Sequence, residues 1–167
     1  MKKDKIANIP YSIIMRILIF LLLLLINNLF SSEFELEIMS VSDGSNTTIF
    51  NFSDNTTYRH FHSFQNWKDS LGDWGSLECA GNHTIIKDEG TILKNYCKGL
   101  NKDGDMFWLM MDRNSIDFDA GVGKITYRKG TGKFDKYEGV ECLYAITFLA
   151  DGNGAFQKAK CKFKNNK

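Results

Sequence analysis

The stretch Gly130-Thr131-Gly132-Lys133-Phe134 lies between two runs of strand-forming residues and is followed, after a short turn, by Gly139. The run before it, 122–128, is rich in β-branched and aromatic residues, and the run after it, 141–149, is almost continuously apolar. Short apolar runs separated by glycine-rich turns are typical of neighbouring β-strands. This part of the chain therefore predicts an antiparallel sheet.

The last predicted strand, 155–164, alternates strictly between two kinds of residue. One face carries Ala155, Gln157, Ala159, Cys161 and Phe163, and the other carries Phe156 and four lysines. A period of two residues is found in strands and not in helices. The alternation predicts a strand with one face toward the core and one toward solvent.

The four cysteines predict two disulfides. Asp151-Gly152 is typical of a two-residue type I′ hairpin turn, and counting outward from it pairs Cys142 with Cys161, both on the apolar faces of their strands. An even cysteine count in an exported domain indicates a disulfide framework. By elimination Cys79 pairs with Cys97, across a hairpin loop centred on Asp88.

The Gly-Thr-Gly-Lys-Phe segment at 130–134, with Gly139, resembles the glycine-rich turn of allene oxide cyclase-like and dirigent-like proteins. The resemblance covers about forty residues. It implies an eight-stranded antiparallel barrel of the calycin type with a small apolar lumen. No catalytic motif of the family is matched, so the resemblance assigns no catalytic residue.

The remaining sequence predicts further strands and no helix after the amino-terminal leader. A loop with two tryptophans is predicted at 66–75, folded over one end of a barrel. The predicted fold is therefore all-β, a single antiparallel up-and-down barrel of about eight strands. The predicted strands are 35–42, 47–52, 58–64, 76–80, 83–87, 91–98, 105–111, 122–128, 141–149 and 155–164.

Residues 1–32 predict a signal peptide, and residues 33–167 the barrel domain. The uninterrupted apolar run 17–26 has ten residues, whereas a membrane-spanning helix needs about 20 and a signal-peptide core about 7–15. Met15, just before Arg16, is an alternative translation start. An uncleaved membrane anchor is the alternative left open. We expect cleavage between Ser31 and Glu35, and no stable membrane insertion afterwards.

The charge balance predicts no nucleic-acid partner. Removing the four basic residues and one acid of residues 1–32 from the totals of 21 and 20 leaves 17 basic and 19 acidic residues. A phosphate-binding protein would carry a basic stripe. The only candidate stripe is Lys158, Lys160, Lys162 and Lys164, whose spacing is that of a solvent-facing strand.

Candidate binding residues come from the surplus of aromatic side chains, because a small barrel either fills its interior or holds one ligand. The candidates for a ligand-binding site are Trp67, Trp74, Trp108 and Tyr144. His60 and His62 lie two residues apart on one strand face and are weak metal candidates, since no third ligand has a recognisable spacing. No catalytic residue and no cofactor is predicted.

These observations favour a periplasmic or secreted barrel without enzymatic activity that binds a small apolar ligand or a partner. The alternatives are an allene oxide cyclase-like cyclase or isomerase, which needs polar groups inside the lumen, and a structural or surface-interaction module. Four glycosylation acceptor triplets begin at Asn46, Asn51, Asn55 and Asn82. We expect them to stay unmodified if the source is bacterial, as the residue composition favours.

Overall fold

The computed structural model describes residues 33–41, 47–116, 120–150 and 154–163, together with Met15. The predicted signal peptide lies outside the described residues except for Met15, and the predicted Asp151-Gly152 turn also lies outside them. Within the described ranges no helix is long and apolar enough to cross a membrane.

The described chain forms nine strands and one short 3-10 helix, Gly132–Tyr137. Alternation of buried and exposed residues along the strands explains why they form one curved sheet with an apolar inner face. The strands are β1 Glu33–Val41, β2 Thr47–Asn51, β3 Thr57–Asp69, β4 Trp74–Ile86, β5 Gly90–Asn101, β6 Met106–Ser115, β7 Ala120–Gly130, β8 Glu141–Phe148 and β9 Gly154–Lys162.

Eight of the strands close into an antiparallel barrel, which confirms the predicted fold class. Strands β3 to β9 pair in chain order, and β1 closes the barrel by pairing with β9 on one side and with the second half of β3 on the other. The additional strand, β2, pairs with the first half of β3. Strands β1 and β2 thus lie one after the other along the same edge of β3.

Both predicted disulfides are present. Cys142 pairs directly with Cys161 in the β8–β9 register, and Cys79 with Cys97 in the β4–β5 register. Directly opposite residues at a non-hydrogen-bonded position bring their β-carbons closest together, which is what a disulfide requires. The Cα atoms of the two pairs are 3.9 and 4.1 Å apart. The register counted from the sequence is therefore confirmed.

The predicted loop at 66–75 is wrong. Strand β3 continues to Asp69 and β4 begins at Trp74, so the reversal takes only the residues between them. Gln65 and Trp67 are buried while Phe64, Asn66 and Lys68 are exposed, which is the alternation of a strand. The sequence pattern did not show this strand, because polar residues such as Asn66 and Lys68 occupy its outward-facing positions.

Two predicted strands, 76–80 and 83–87, are one strand. The two predicted strands leave out Gly81 and Asn82, but the register runs through this pair without interruption against both neighbours, with Asn82 opposite His60 on β3 and Lys94 on β5. Pairing on both sides outweighs the turn preference of these two residues. The result is a strand of 13 residues, long enough to cross the whole barrel wall.

The prediction that no helix follows the leader is also wrong, because the 3-10 helix Gly132–Tyr137 lies within the glycine-rich turn. Phe134 and Tyr137 are three residues apart, which places them on one face of a 3-10 helix, and both are buried. Gly132 has a positive φ of 52°, and a β-carbon there would collide with the Asp105 carboxylate. Glycine is therefore required at this position.

The 3-10 helix plugs one end of the barrel, which we call the aromatic end. Its rings pack edge-on or tilted against rings from β1, β3, β6 and β7, with centroids 4.8 to 6.0 Å apart, in the range favoured by aromatic pairs. This end is consequently filled with side chains. The cluster comprises Phe34, Trp67, Phe107, Tyr127, Phe134 and Tyr137.

Polar contacts connect the same helix to the β3–β4 and β5–β6 hairpins. The Lys133 ammonium lies 2.8 Å from carboxylate oxygens of both Asp73 and Asp103, and the Met106 amide donates a 2.8 Å hydrogen bond to the Thr131 hydroxyl. The Asn101 amide also donates to Asp73. Although burial raises it, the Asp73 pKa is lowered overall, because Lys133 and Asn101 stabilise the ionised carboxylate. The Thr and Lys of the 130–134 segment therefore have structural contacts.

Candidate functional site: the cavity end of the barrel

A cavity of about 550 Å³ lies at the end of the barrel opposite the aromatic cluster, and we call this the cavity end. Here β4, β6 and β8 finish and β5 and β9 begin. Its apolar wall comes mainly from Phe61, Leu93, Ile146, Phe148 and Leu149, and its polar wall from Ser40, Arg59, Ser63, Gln65, His83, Asn95 and Gln157.

Strand β3 supplies the largest share of the polar wall. Arg59, Phe61, Ser63 and Gln65 occupy alternate positions and line the cavity together, because alternate residues of a strand share one face. The same alternation carries on to Trp67, which belongs to the aromatic cluster. One strand face thus passes from the cavity into the filled end of the barrel.

Three amide side chains are buried in the cavity wall. Gln65, Asn95 and Gln157 are only 5 to 7% exposed, and the Gln65 amide nitrogen donates a 3.0 Å hydrogen bond to the Ser63 hydroxyl. The carbonyl oxygens of the three side chains accept no hydrogen bond from the part of the chain that the structure describes. Buried polar atoms are usually satisfied by protein, water or a ligand, so these oxygens mark a place for a hydrogen-bond donor.

His83 is the buried titratable group of the cavity wall. Its ring forms a hydrogen bond with the Thr91 hydroxyl. Burial, together with the smaller effect of the positive charges of Arg113 and Arg59, lowers the His83 pKa to about 4. At neutral pH the imidazole is therefore uncharged and has a hydrogen-bonding role beside two guanidinium groups.

The four aromatic residues predicted to bind a ligand lie in different places. Trp67 is in the aromatic cluster, where its ring nitrogen donates a 3.1 Å hydrogen bond to the Ser76 carbonyl, and Tyr144 is buried in the barrel interior with its pKa raised to about 12 by burial. Trp74 is 58% exposed, and Trp108 is half-buried on the outer face of β6. None of the four is among the described residues that line the cavity, and their ligand-binding role stays a prediction.

The two histidines considered as metal ligands lie on the outer face of β3. His60 is exposed, the His62 ring lies 3.0 Å from one carboxylate oxygen of Glu78, and the Lys98 ammonium lies 3.2 Å from the other. Within the described ranges no group of three or more histidine, cysteine, aspartate or glutamate side chains is placed to hold a metal. His62 is thus accounted for by an ordinary surface hydrogen bond with Glu78.

The lysines of β9 alternate with glutamates of the neighbouring strand β1. Lys158 lies 2.9 Å from Glu35, and Lys162 lies 2.8 Å from Glu33. These contacts partly neutralise the stripe on which a nucleic-acid interface would depend. The expected absence of a nucleic-acid partner remains a prediction that agrees with this geometry.

Sequence reasoning missed Arg59, His83, Asn95 and Arg113, although a signal for them was present. Arg113 follows Phe107, Leu109 and Met111 at alternate positions of β6, so a charged residue continues an apolar face. Gln157 was placed on the apolar face of β9 but was not recognised as a site residue. The available signal was a polar residue at a strand position where the alternation predicts an inward-facing apolar one.

The cavity end therefore combines an apolar wall with buried amides, an uncharged imidazole and guanidinium groups. Such a site suits a small molecule with one apolar part and one polar part. The sequence was compared with protein-family models and with curated proteins, and none of them matches it.

Proposed function

We propose that the protein is a small-molecule-binding barrel without enzymatic activity, whose ligand lies in the cavity end. The observation that carries the proposal is the cavity of about 550 Å³ with buried, unsatisfied amide oxygens in its wall. Ligand sites of drug-sized molecules typically have about 300–1,000 Å³ and a few placed polar groups on an apolar wall. A purely structural module would be expected to fill this space.

The ligand is expected to be partly apolar. Phe61, Leu93, Ile146 and Phe148 line one part of the cavity, and burying apolar surface contributes about 25 cal/mol per Å². The aromatic end prevents the ligand from passing through the barrel, because its rings are packed at contact distance. Binding therefore involves entry and exit at the cavity end.

The proposed location is the periplasm or the extracellular space. The two disulfides favour an oxidising compartment, and the predicted signal peptide agrees with export. Amino-terminal sequencing of the mature protein tests this proposal directly. A start between Ser31 and Glu35 supports export and cleavage, whereas full-length chain in the membrane fraction contradicts them.

Native mass spectrometry of the protein purified from its own host tests ligand binding. A retained small molecule supports the proposal, provided that the variant Ser63→Phe, which fills the cavity, no longer retains it. Ala80→Phe on the outer face of β4 is the matched control, since Ala80 is exposed. If Ser63→Phe folds and still carries the molecule, the cavity is not its site.

A cyclase or isomerase of the allene oxide cyclase kind is the second candidate. It is favoured by the convergence of His83, Asn95 and Gln65 in the cavity wall, because such an enzyme needs polar groups inside its lumen. The test is to compare the retained molecule before and after prolonged incubation by chromatography and NMR. Conversion to an isomer of equal mass, lost in His83→Gln, supports this candidate, and recovery of unchanged molecule contradicts it.

A further inference from the structure

Three buried amide side chains reach the cavity from three different strands. Gln65 belongs to β3, Asn95 to β5 and Gln157 to β9, and all three line the cavity. Gln65 lies opposite Ser40 of β1. Gln157 lies opposite Ile38 of the same strand, so the two glutamines are on either side of β1. The amides therefore face one cavity from different parts of the barrel wall.

The unsatisfied atoms of these side chains are hydrogen-bond acceptors. Each of the three residues is more than nine-tenths buried, and its carbonyl oxygen accepts no hydrogen bond from the described residues. The Ser40 hydroxyl beside Gln65 donates to the Ala155 carbonyl, so it does not supply the missing donor. A buried acceptor without a donor reduces stability. The three amides therefore favour a molecule that brings hydrogen-bond donors into the cavity.

The amide groups can turn toward a ligand without strain. The terminal torsion of an asparagine or glutamine side chain has a broad energy minimum, so a small rotation directs the carbonyl oxygen to a donor in the cavity. An uncharged donor is favoured over an ammonium group, because burying a charge costs much more free energy than burying a hydroxyl or an amide N–H. Phe61, Ile146 and Phe148 line the same cavity and provide an apolar surface for the rest of the molecule.

We infer that the cavity takes an uncharged molecule with an apolar skeleton and hydroxyl or amide N–H groups, which donate hydrogen bonds to the carbonyl oxygens of Gln65, Asn95 and Gln157. A hydroxylated ring system is a molecule of this class. Each donor that reaches an amide oxygen satisfies an atom that the described chain leaves unsatisfied, so the hydroxyl groups add affinity as well as orientation. The inference rests on the proposed function, to which it adds the ligand class.

A series of fluorescent naphthalenes with one apolar skeleton tests the inference. The series comprises 2,6-dihydroxynaphthalene, its dimethyl ether, naphthalene-2,6-dicarboxylate and 2,6-bis(aminomethyl)naphthalene. The ether keeps the oxygen atoms of the diol but has no donors, the dicarboxylate is an anion with acceptors only, and the diamine is a cation with donors. Each compound is titrated into the full mature protein at pH 7.5. We expect the diol to bind at least tenfold more tightly than each of the other compounds.

Two variants assign the effect to the buried amides. Asn95→Leu and Gln157→Met each replace an acceptor by an apolar group of similar size, and each should reduce diol affinity at least fivefold and leave the affinity for the ether unchanged. Neither should lower the melting temperature followed by circular dichroism, because each removes a buried oxygen that lacks a donor. Asn66→Leu is the matched control, since Asn66 is exposed on the outer face of β3, and it should change neither affinity.

The possible failures are distinguishable, because Ser63→Phe should abolish the binding of the whole series. If the diol and the ether bind equally, are blocked by Ser63→Phe and are unaffected by Asn95→Leu and Gln157→Met, the donor preference is overturned while the small-molecule site stands. Tighter binding of the dicarboxylate or the diamine than of the diol also overturns the ligand class. If no compound binds, or if Ser63→Phe folds and binds them as well as the natural protein, the cavity is not a site and the proposed function fails with the inference.

Discussion

The aromatic end and the cavity end of the barrel are built from the same strands but differ in what occupies the interior. Phe107, Phe134 and Tyr137 are 1 to 4% exposed at the aromatic end, whereas Arg59, Phe61 and Phe148 at the cavity end are only half-buried. The 3-10 helix fills the first end, and the described residues include no corresponding helix at the second.

The difference indicates a division of roles along the barrel axis. Filled apolar interiors contribute most of the stability of a small domain, while buried polar groups without partners reduce stability and are retained where they bind something. We therefore expect substitutions at the aromatic end to change stability, and substitutions at the cavity end to change binding. The four predictions that follow examine this division.

The largest difference should come from matched phenylalanine truncations. Phe134→Ala removes a ring that contacts Trp67, Phe107 and Tyr137, and such a change in a packed core costs about 3–5 kcal/mol. Phe148→Ala at the cavity end should cost less than half as much, because this ring is only partly buried. Urea unfolding of both variants measures the two free energies. Equal losses would contradict the division.

The two disulfides should stabilise the fold almost equally. Their residues are separated by 18 and 19 positions, for which loop-closure entropy predicts about 3 kcal/mol each. The double variants Cys79→Ala with Cys97→Ala, and Cys142→Ala with Cys161→Ala, are compared by urea unfolding. Only the first should also alter retention of a small molecule in native mass spectrometry, since Cys79 lies opposite the cavity residue Ser63. Altered retention in the second double variant alone would contradict the location of the binding site in the cavity end.

Lowering the pH should destabilise the protein through His83. Burial and the two guanidiniums lower the pKa of His83 from 6.5 to about 4 on folding, so protonation between these values favours the unfolded chain. The contribution of uncharged His83 to stability is fully present above about pH 6.5. As the pH falls toward 4, the free energy of unfolding decreases by about 2–3 kcal/mol. Unfolding free energies at pH 7.5 and 4.5 should differ less in His83→Gln than in the natural protein. The exposed His60→Gln variant is the control and should behave as the natural protein does.

The smallest effect should come from the surface contacts of the 3-10 helix. Lys133→Met removes the ion pairs with Asp73 and Asp103, and because solvent screens the exposed lysine we expect a smaller loss of stability than in the variants above. Lys129→Met, an exposed residue on β7, should change nothing. Retention of a small molecule in native mass spectrometry should stay constant in both variants. Reduced retention in Lys133→Met would show that the two ends are coupled.

Much of the barrel wall could be predicted because its evidence is local. Alternation of residue types along 155–164 identified β9 and its inner face, and the Asp-Gly turn gave the register that pairs Cys142 with Cys161. The errors occurred where local preference and tertiary pairing disagree. Gly81-Asn82 has the preference of a turn, yet it continues a strand because β3 and β5 hydrogen-bond to it on both sides.

The site was predicted poorly for a different reason. Aromatic residues were chosen as ligand contacts, but aromatic side chains serve equally well in a packed core, and Trp67 lies in the aromatic cluster. The polar residues of the cavity wall are far apart in the chain, and each of them alone looks like an ordinary surface residue. Only their strand registers bring Arg59, His83 and Arg113 into one row.

By itself the sequence determined the strand class, the cysteine partners and the inner faces of several strands, because these depend on residue alternation and on hairpin counting. The tertiary structure decided which end of the barrel is filled. Closure of β1 onto β3 and β9 sets the interior width, and packing of the 3-10 helix places Phe134 and Tyr137 within one end. Interior space is a property of the closed sheet, so no single segment of the chain specifies it.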